Sequence, residues 1–265
     1  MKTIIPVSGL PRSGSTLLMN VLAQHPLVHS TATSGLHEIM YLSKAYFKTD
    51  EFRSLTNPND GENLWYDFMR AGLINANNKI TDRSIIADKC RAWIGSAGLF
   101  FKLFPNGKMI VPIRDIRGVI SSMEKKYQKH PEFQLEMNQQ DTSAIQTVEG
   151  RVQFWLQHPP IGIAIQRLHE LVRLHKDKVH FVHMEDLIQD PTLTMQNIWK
   201  YLEIDGPTHD FNNIEQYTHE HELGWPYGDH TIRSDIKPVK PDWNNVLGRN
   251  ISEVLREKFD WINNL

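Results

Sequence analysis

Apolar positions change their period several times along this chain. Thr3–Val7 is a short, mostly apolar run closed by Gly9 and Pro11, and it predicts a strand. Leu17, Leu18, Val21 and Leu22 then recur at helical spacing until His25-Pro26 ends the run. Strand, glycine turn and helix in this order open a βαβ unit. Helical patterns cover Leu64–Ile74 and Trp93–Leu103, with a short strand at Ile85–Ala87 between them, and the polar stretch Thr49–Gly61 predicts an exposed loop. Lys108–Ile113 is apolar enough for a buried parallel strand. Behind it Ile116, Val119, Ile120 and Met123 fall at i, i+3, i+4 and i+7, one face of a helix. A third such strand, Val179–Val182, leads into a helix with Asp190 as N-cap, Pro191 at its first position and Met195, Ile198, Trp199 and Leu202 on one face. Residues 205–250 carry little pattern, and a final helix is predicted over 251–262, capped by Asn250 with Glu253 at capping-box spacing. This alternation predicts one α/β domain over residues 1–265: a central parallel sheet of four or five strands, helices on both faces and an irregular C-terminal lid.

Composition narrows the function classes. Apolar residues make up 40% and charged residues 23% of the 265, as in ordinary globular domains. Lys and Arg number 29 against 31 Asp and Glu, so the net charge of −2 offers nothing to drive nucleic-acid binding. No apolar run approaches the roughly 18 residues of a membrane helix, and no membrane partner is expected. Cys90 is the one cysteine, which excludes an intrachain disulfide. No signal-peptide core precedes the glycine-rich turn, so the expected location is cytoplasmic.

The first turn reads Ser8-Gly9-Leu10-Pro11-Arg12-Ser13-Gly14-Ser15-Thr16. Its glycines frame a P-loop between a strand and a helix, where the backbone N–H groups of Ser13, Gly14, Ser15 and Thr16 and the helix dipole would cradle a phosphate. An ATP-type loop needs Lys at position 15, and Ser stands there; the loop's cation is Arg12, three residues earlier. An arginine there offers a planar fork beside a leaving-group oxygen of a phosphate or phosphosulfate. The strand at 108–113 ends in Arg114-Asp115, at the carboxyl edge where open α/β sheets bind ligands. Ser122 and Lys126, one helical turn apart, share a face away from the apolar stripe. Arg114, Ser122 and Lys126 together make a second anion clamp, against the alternative of a solvated face with Arg114 paired to Asp115 or Asp186.

Pro11-Arg12-Ser13-Gly14-Ser15-Thr16 resembles the 5′-phosphosulfate loop of the sulfotransferase family, and Arg114-Asp115-Ile116-Arg117 through Ser121-Ser122 resembles its 3′-phosphate motif. Glu185-Asp186-Leu187 with Asp190-Pro191, and Arg233-Ser234 with Ile236-Lys237-Pro238-Val239, are similar to later segments, the last to the loop that closes over the nucleotide in protein-tyrosine sulfotransferases. The resemblance implies a P-loop NTPase-like fold and 3′-phosphoadenosine 5′-phosphosulfate (PAPS) as cosubstrate, with 3′,5′-ADP as product and Lys237 among the donor contacts. It further implies a hydroxyl acceptor on a small molecule, a carbohydrate or a protein tyrosine. Within Thr33-Ser34-Gly35-Leu36-His37-Glu38 it makes Glu38 the base; His37, whose ordinary pKa of ~6.5 suits the task, competes. Lys89, after Asp88, matches the lysine at the bridging oxygen, and Arg12, Lys89 and Ser234 would then do what Mg²⁺ does in a kinase, so no metal is expected.

Two rival readings are an ATP-dependent small-molecule kinase on a degenerate P-loop and a nucleotide-binding protein without turnover. Among the remaining residues, His219, His221 and His230 match no zinc spacing. Trp65, Tyr66, Trp225 and Tyr227 are candidates for an acceptor pocket or an adenine stack, with core or lid packing as the alternative, and Cys90 reads as a buried inert thiol.

Overall fold

The computed structural model describes residues 2–55, 60–130, 145–219 and 230–265. Strands β1 (Thr3–Val7), β2 (Val28–Ser30), β3 (Ile85–Lys89), β4 (Met109–Ile113) and β5 (Val179–His183) form one sheet in the order β2-β3-β1-β4-β5. Every pairing is parallel, with Thr3 opposite Ile85 through Val7 opposite Lys89, and Met109 opposite Val179 through Ile113 opposite His183. The connection from β1 runs towards β2, and the one from β4 runs the other way to β5. The carboxyl ends of β1 and β4 therefore flank the switch point where this kind of sheet opens a crevice.

The helices are α1 (Ser15–Ala23), α2 (Leu36–Tyr46), α3 (Asp50–Arg53), α4 (Gly61–Ile80), α5 (Ala97–Leu103), α6 (Ile116–Lys129), α7 (Val148–Gln157), α8 (Ile161–His175), α9 (Met184–Gln189), α10 (Pro191–Leu202), α11 (Trp243–Leu247) and α12 (Arg249–Asn263). Strand residues alternate between faces, so the sheet feeds two cores. Ile4, Met109, Val111 and Ile113 meet Trp65 and Leu73 of α4, Phe100 of α5, Val119 and Ile120 of α6, Leu168 of α8 and Leu255 of α12. Ile5, Val7, Ile85, Ala87 and Ile110 meet Leu18, Val21 and Leu22 of α1, Leu187 of α9 and Ile198 and Trp199 of α10. Covering both faces is what permits β4 to be apolar at every position.

Differences from the predicted elements have local causes. β2 is three residues long and α2 begins at Leu36 behind Gly35, which supplies no side-chain cap, so neither leaves a periodic signature. Thr49–Gly61, predicted as loop, contains the single turn of α3. Trp93–Leu103 divides into a 3₁₀ turn at Trp93–Gly95 and α5. The last helix starts at Arg249, after Gly248 in a positive-φ conformation (82°). Asn250 therefore sits inside it rather than capping it, and Glu253 pairs with Arg256 at 2.6 Å.

The irregular C-terminal region is built from two extended stretches joined by hydrogen bonds. Ile214 N–H donates to Ser234 C=O (2.6 Å), Ile236 N–H to Phe211 C=O (2.9 Å), and Gln216 bonds the backbone of His230 and Ile232. Asn20, fully buried on α1, anchors this pair: its amide donates to Thr16 C=O and Thr218 Oγ1, and its oxygen accepts from Tyr217 and Thr218 N–H.

Candidate functional site

The loop between β1 and α1 is shaped by close approach. Gly9 runs against the end of β4 so tightly that a Cβ there would lie 2.2 Å from Pro112 C=O. Gly14 adopts φ 78°, and a Cβ on it would meet the Met184 side chain at 2.6 Å. Arg12 also occupies the left-handed region, at φ 62°, which a side chain adopts only under strain. The loop thus holds the guanidinium over the crevice at a conformational cost.

Three strand ends deliver their cations to one another there. Arg12 Nε donates to Ser122 Oγ on α6 at 3.0 Å, and Arg114 Nη1, from the end of β4, donates to Arg12 C=O at 3.0 Å. Lys89 Nζ, from the end of β3, donates to Thr16 Oγ1 in the first turn of α1 at 3.2 Å. The α1 N-terminus has no side-chain cap, and its first backbone bond runs from Leu18 N–H to Gly14 C=O, which leaves the N–H groups of Ser15, Thr16 and Leu17 facing outward. These groups open into a cavity of about 1330 Å³. Its wall includes Arg12, Gly14, Ser15, Thr16, Lys89, Arg114, Ser122, Lys126 and, across the crevice, Lys237.

Burial pushes the Arg114 guanidinium below the usual arginine range, Glu185 pulls it back, and Arg12 adds to the depression. A desolvated cation beside a second cation is completed by an anion. Asp115 spends its hydrogen bonds elsewhere: it caps α6 by accepting from Arg117 N–H (2.8 Å) and pairs with the Arg117 guanidinium at 2.6 Å. Glu185 is the first of the carboxylates that act on Arg114, ahead of Asp115 and Asp242.

Other predicted residues sit elsewhere. Ser13 is fully buried, and its N–H donates to Leu10 C=O (3.3 Å), so within this loop it braces the turn. Glu38 is exposed in the first turn of α2 and is not part of the cavity wall, although its charge is felt by Cys90, which is. Ser234 is exposed between two wall residues, Arg233 and Asp235. His37, the competing base, is buried: its Nε2 bonds Ser96 Oγ (2.9 Å), its ring meets Trp93 edge-on, and desolvation lowers its pKa. Trp65 is core, bonded to Ser43 Oγ at 3.0 Å, and Tyr66 bonds Glu62 on the surface of α4. Burial raises the Cys90 thiol, as expected of an unreactive cysteine. His221, Trp225 and Tyr227 lie outside the described residues.

Met184 and Trp243 are site residues without a sequence signal: the first presses on Gly14, and the second carries the Arg117 guanidinium 4.5 Å over its ring. Among the described residues no three metal-ligating side chains converge, and no helix is long and apolar enough to cross a membrane.

The arrangement can hold a ligand with two separated anionic ends, one at the α1 N-terminus and one between Arg114 and Ser122. The chain is 26% identical to a protein-tyrosine sulfotransferase of Drosophila melanogaster over 97% of its own length, spanning about half (49%) of that protein. It is 26% identical to a putative protein-tyrosine sulfotransferase of Caenorhabditis briggsae, covering 83% of this chain and 70% of the relative. The fold matches a sulfotransferase domain from the curacin biosynthetic pathway (TM-score 0.55, 16% identity, 98% of each chain). It also matches mouse sulfotransferase SULT7A1 complexed with PAP (TM-score 0.53, 14% identity, 97% and 82%). The model of the sulfotransferase family matches residues 5–209, most of the chain, and the chain belongs to that family.

Proposed function

We propose that this protein transfers the sulfuryl group of PAPS to an acceptor hydroxyl. The observation that carries the reading is the convergence of Arg12, Lys89 and Arg114 from three adjacent strand ends onto one helix N-terminus and Ser122. In this reading the N–H groups at the start of α1 hold the 5′-phosphate, while Arg114, Ser122 and Lys126 hold the 3′-phosphate. Lys237 closes over the donor from the far wall.

Glu38 takes the acceptor proton as the acceptor oxygen forms its bond to sulfur. The bond from sulfur to the bridging oxygen breaks in line, and Arg12, Lys89 and Ser234 stabilise the charge left on that oxygen. These groups do the work of a divalent cation, and turnover is expected to be indifferent to EDTA. The acceptor is a hydroxyl on a small molecule, a carbohydrate or a tyrosine; the tyrosine option draws support from the names of the fly and nematode relatives.

Titration calorimetry with 3′,5′-ADP, beside ATP with Mg²⁺, tests the reading on wild type and Arg114→Ala. Tight 3′,5′-ADP binding that weakens about 100-fold in the variant is expected, from loss of a charge-assisted, half-buried clamp of roughly 3 kcal/mol. Preference for ATP·Mg²⁺ with Arg114 irrelevant would install the kinase reading instead. Binding of 3′,5′-ADP with no PAPS-dependent sulfation of any hydroxyl would leave a nucleotide-binding protein.

A further inference from the structure

Asp88 precedes Lys89 at the end of β3, and the pleat sends the two side chains to opposite faces of the sheet. Lys89 reaches Thr16 on the α1 side. Asp88 enters the other side, where its carboxyl is 1% exposed and faces the Ser34 hydroxyl and the indole of Trp93. Its Oδ1 and the Trp93 indole N–H are both buried without a completed hydrogen bond. An acidic group held this deep with a spare acceptor is costly to fold, and apolar packing would fill the same space more stably.

The contacts around it run to one segment. Thr31 N–H donates to Ala87 C=O (3.0 Å), and Thr31 Oγ1 accepts from Lys89 N–H (2.9 Å), so the segment leading to α2 is stitched at Thr31 onto the end of β3. Ser34 Oγ, which faces Asp88, accepts from Leu36 N–H (3.3 Å) at the first turn of α2. That turn carries Glu38. The Trp93 turn is fixed in its place by Ile94 N–H donating to Ser8 Oγ (3.0 Å) in the phosphate loop.

We propose that Asp88 is a positioning residue: as a carboxylate it draws Ser34 and Trp93 together and so sets the first turn of α2, and with it Glu38, relative to Lys89. The inference rests on the reading of Glu38 as the base. Asp88 itself touches no substrate, being 1% exposed beneath the end of β3.

Protonation is the natural way to release this hold. Burial raises the Asp88 carboxyl to about 6, while Ser34 and Trp93 favour its ionised form. By linkage the ionised form favours those two contacts in return. Neighbouring charged and titratable groups are Lys89 and Cys90 on the same strand end, Arg91 just beyond it, His37 and Glu38 on α2, and Arg167 on α8, which reaches His37. His37 also titrates low, so a variant at each position is needed.

The test compares wild type, Asp88→Asn, Ser34→Ala and His37→Gln, with PAPS and 2-naphthol as the acceptor probe, between pH 5 and 8. Asp88→Asn is expected to lower kcat about 10-fold or more by misplacing the base. Its 3′,5′-ADP affinity should stay within about twofold of wild type, because the donor clamp lies on the opposite face of β3. The fall of wild-type kcat below about pH 6 should vanish in Asp88→Asn and persist in His37→Gln. Ser34→Ala should lower kcat in the same direction by less. An unchanged kcat, or an acid limb unchanged by Asp88→Asn, overturns the proposal. If 2-naphthol is not turned over, hydrogen exchange of residues 31–38 decides: protection that falls on acidification in wild type but is pH-independent in Asp88→Asn supports it, and identical pH dependence refutes it. Failure of wild type to bind 3′,5′-ADP would instead sink the underlying sulfotransferase reading.

Discussion

The two walls of the cavity are built by different physics. The inner wall comes from the ends of β1, β3 and β4 and the start of α1, where backbone geometry aims the cations and two packed cores hold the backbone. The outer wall is held at one end by α6, where Asp242 pairs with Lys125 and Trp243 lies under Arg117; residues 230–236 are bonded to 211–218, which hang on Asn20 of α1, with Ile232 and Ile236 partly buried against the core. Ile214, 3% exposed, is the one wholly buried hydrophobic side chain that 211–218 contributes to the core. A regular scaffold fixes charge to within a hydrogen bond; a cover hung on side chains can be loosened without unfolding what it covers.

Arg12 offers the sharpest way to break the inner wall. Arg12→Ala is expected to cost about 10³-fold in turnover, the scale of losing a charge-stabilising group at a leaving oxygen. Arg12→Gly adds a stability readout, since glycine adopts φ 62° without the strain of roughly 1 kcal/mol carried by the arginine. It should be as inactive as the alanine variant yet melt higher than it. Equal melting temperatures would mean that the loop relaxes and that the strain is not held by its surroundings.

Much of the inner wall was legible because its chemistry is written in contiguous residues. Gly9, Arg12 and Gly14 occupy one turn, and Arg114 and Ser122 are separated by a fixed number of helical residues, so spacing alone brings them to one place. Asp190 as cap, with its Oδ1 accepting from Leu193 N–H at 2.9 Å, was legible for the same reason. The sheet order was not, because β2 is too short to carry a period. The helices α7 and α8 fall outside the predicted elements, although Thr147 caps the first of them at Gly150 N–H (3.0 Å). An irregular C-terminal cover was legible, but what anchors it was not: Asn20 reaches Tyr217 and Thr218 across nearly two hundred residues, and no periodicity records such a bond. Glu38 shows the opposite limit, since a motif can nominate a residue without placing it in the wall.

Asn20→Ala should separate the walls. It leaves the part-buried Tyr217 N–H and the buried Thr218 N–H without their acceptor, at about 2–3 kcal/mol. For a domain of this length that lowers the melting temperature by roughly 5–10 °C. Hydrogen exchange should quicken across 211–218 and 230–236 while 15–22 stay protected. Uniform loss of protection would show that the cover and the scaffold unfold together.

Acid should loosen the cover by a smaller amount, and here the sign has to be followed group by group. His209 Nε2 accepts from the Trp199 indole N–H (2.9 Å), so its Nδ1 carries the proton that bonds Gln24 Oε1 (3.0 Å). The ring must be neutral to do both, and burial, aided by His25, holds its pKa down to about 4. A pKa depressed from 6.5 contributes stability that is present above 6.5 and lost as the pH falls towards 4. For a partly exposed ring that is about 1–2 kcal/mol. Asp88 works the other way, because a carboxyl raised from 3.8 to about 6 costs stability at neutral pH and returns it on acidification. The two shifts oppose each other over the same window, so a melting curve at pH 5 can look unchanged while the molecule has altered. Local exchange separates them: protection across 205–218 should fall between pH 7 and 5, and His209→Gln should remove that dependence without touching α1. If 205–218 kept their protection at pH 5, the neutral ring would not be what ties the cover to α10.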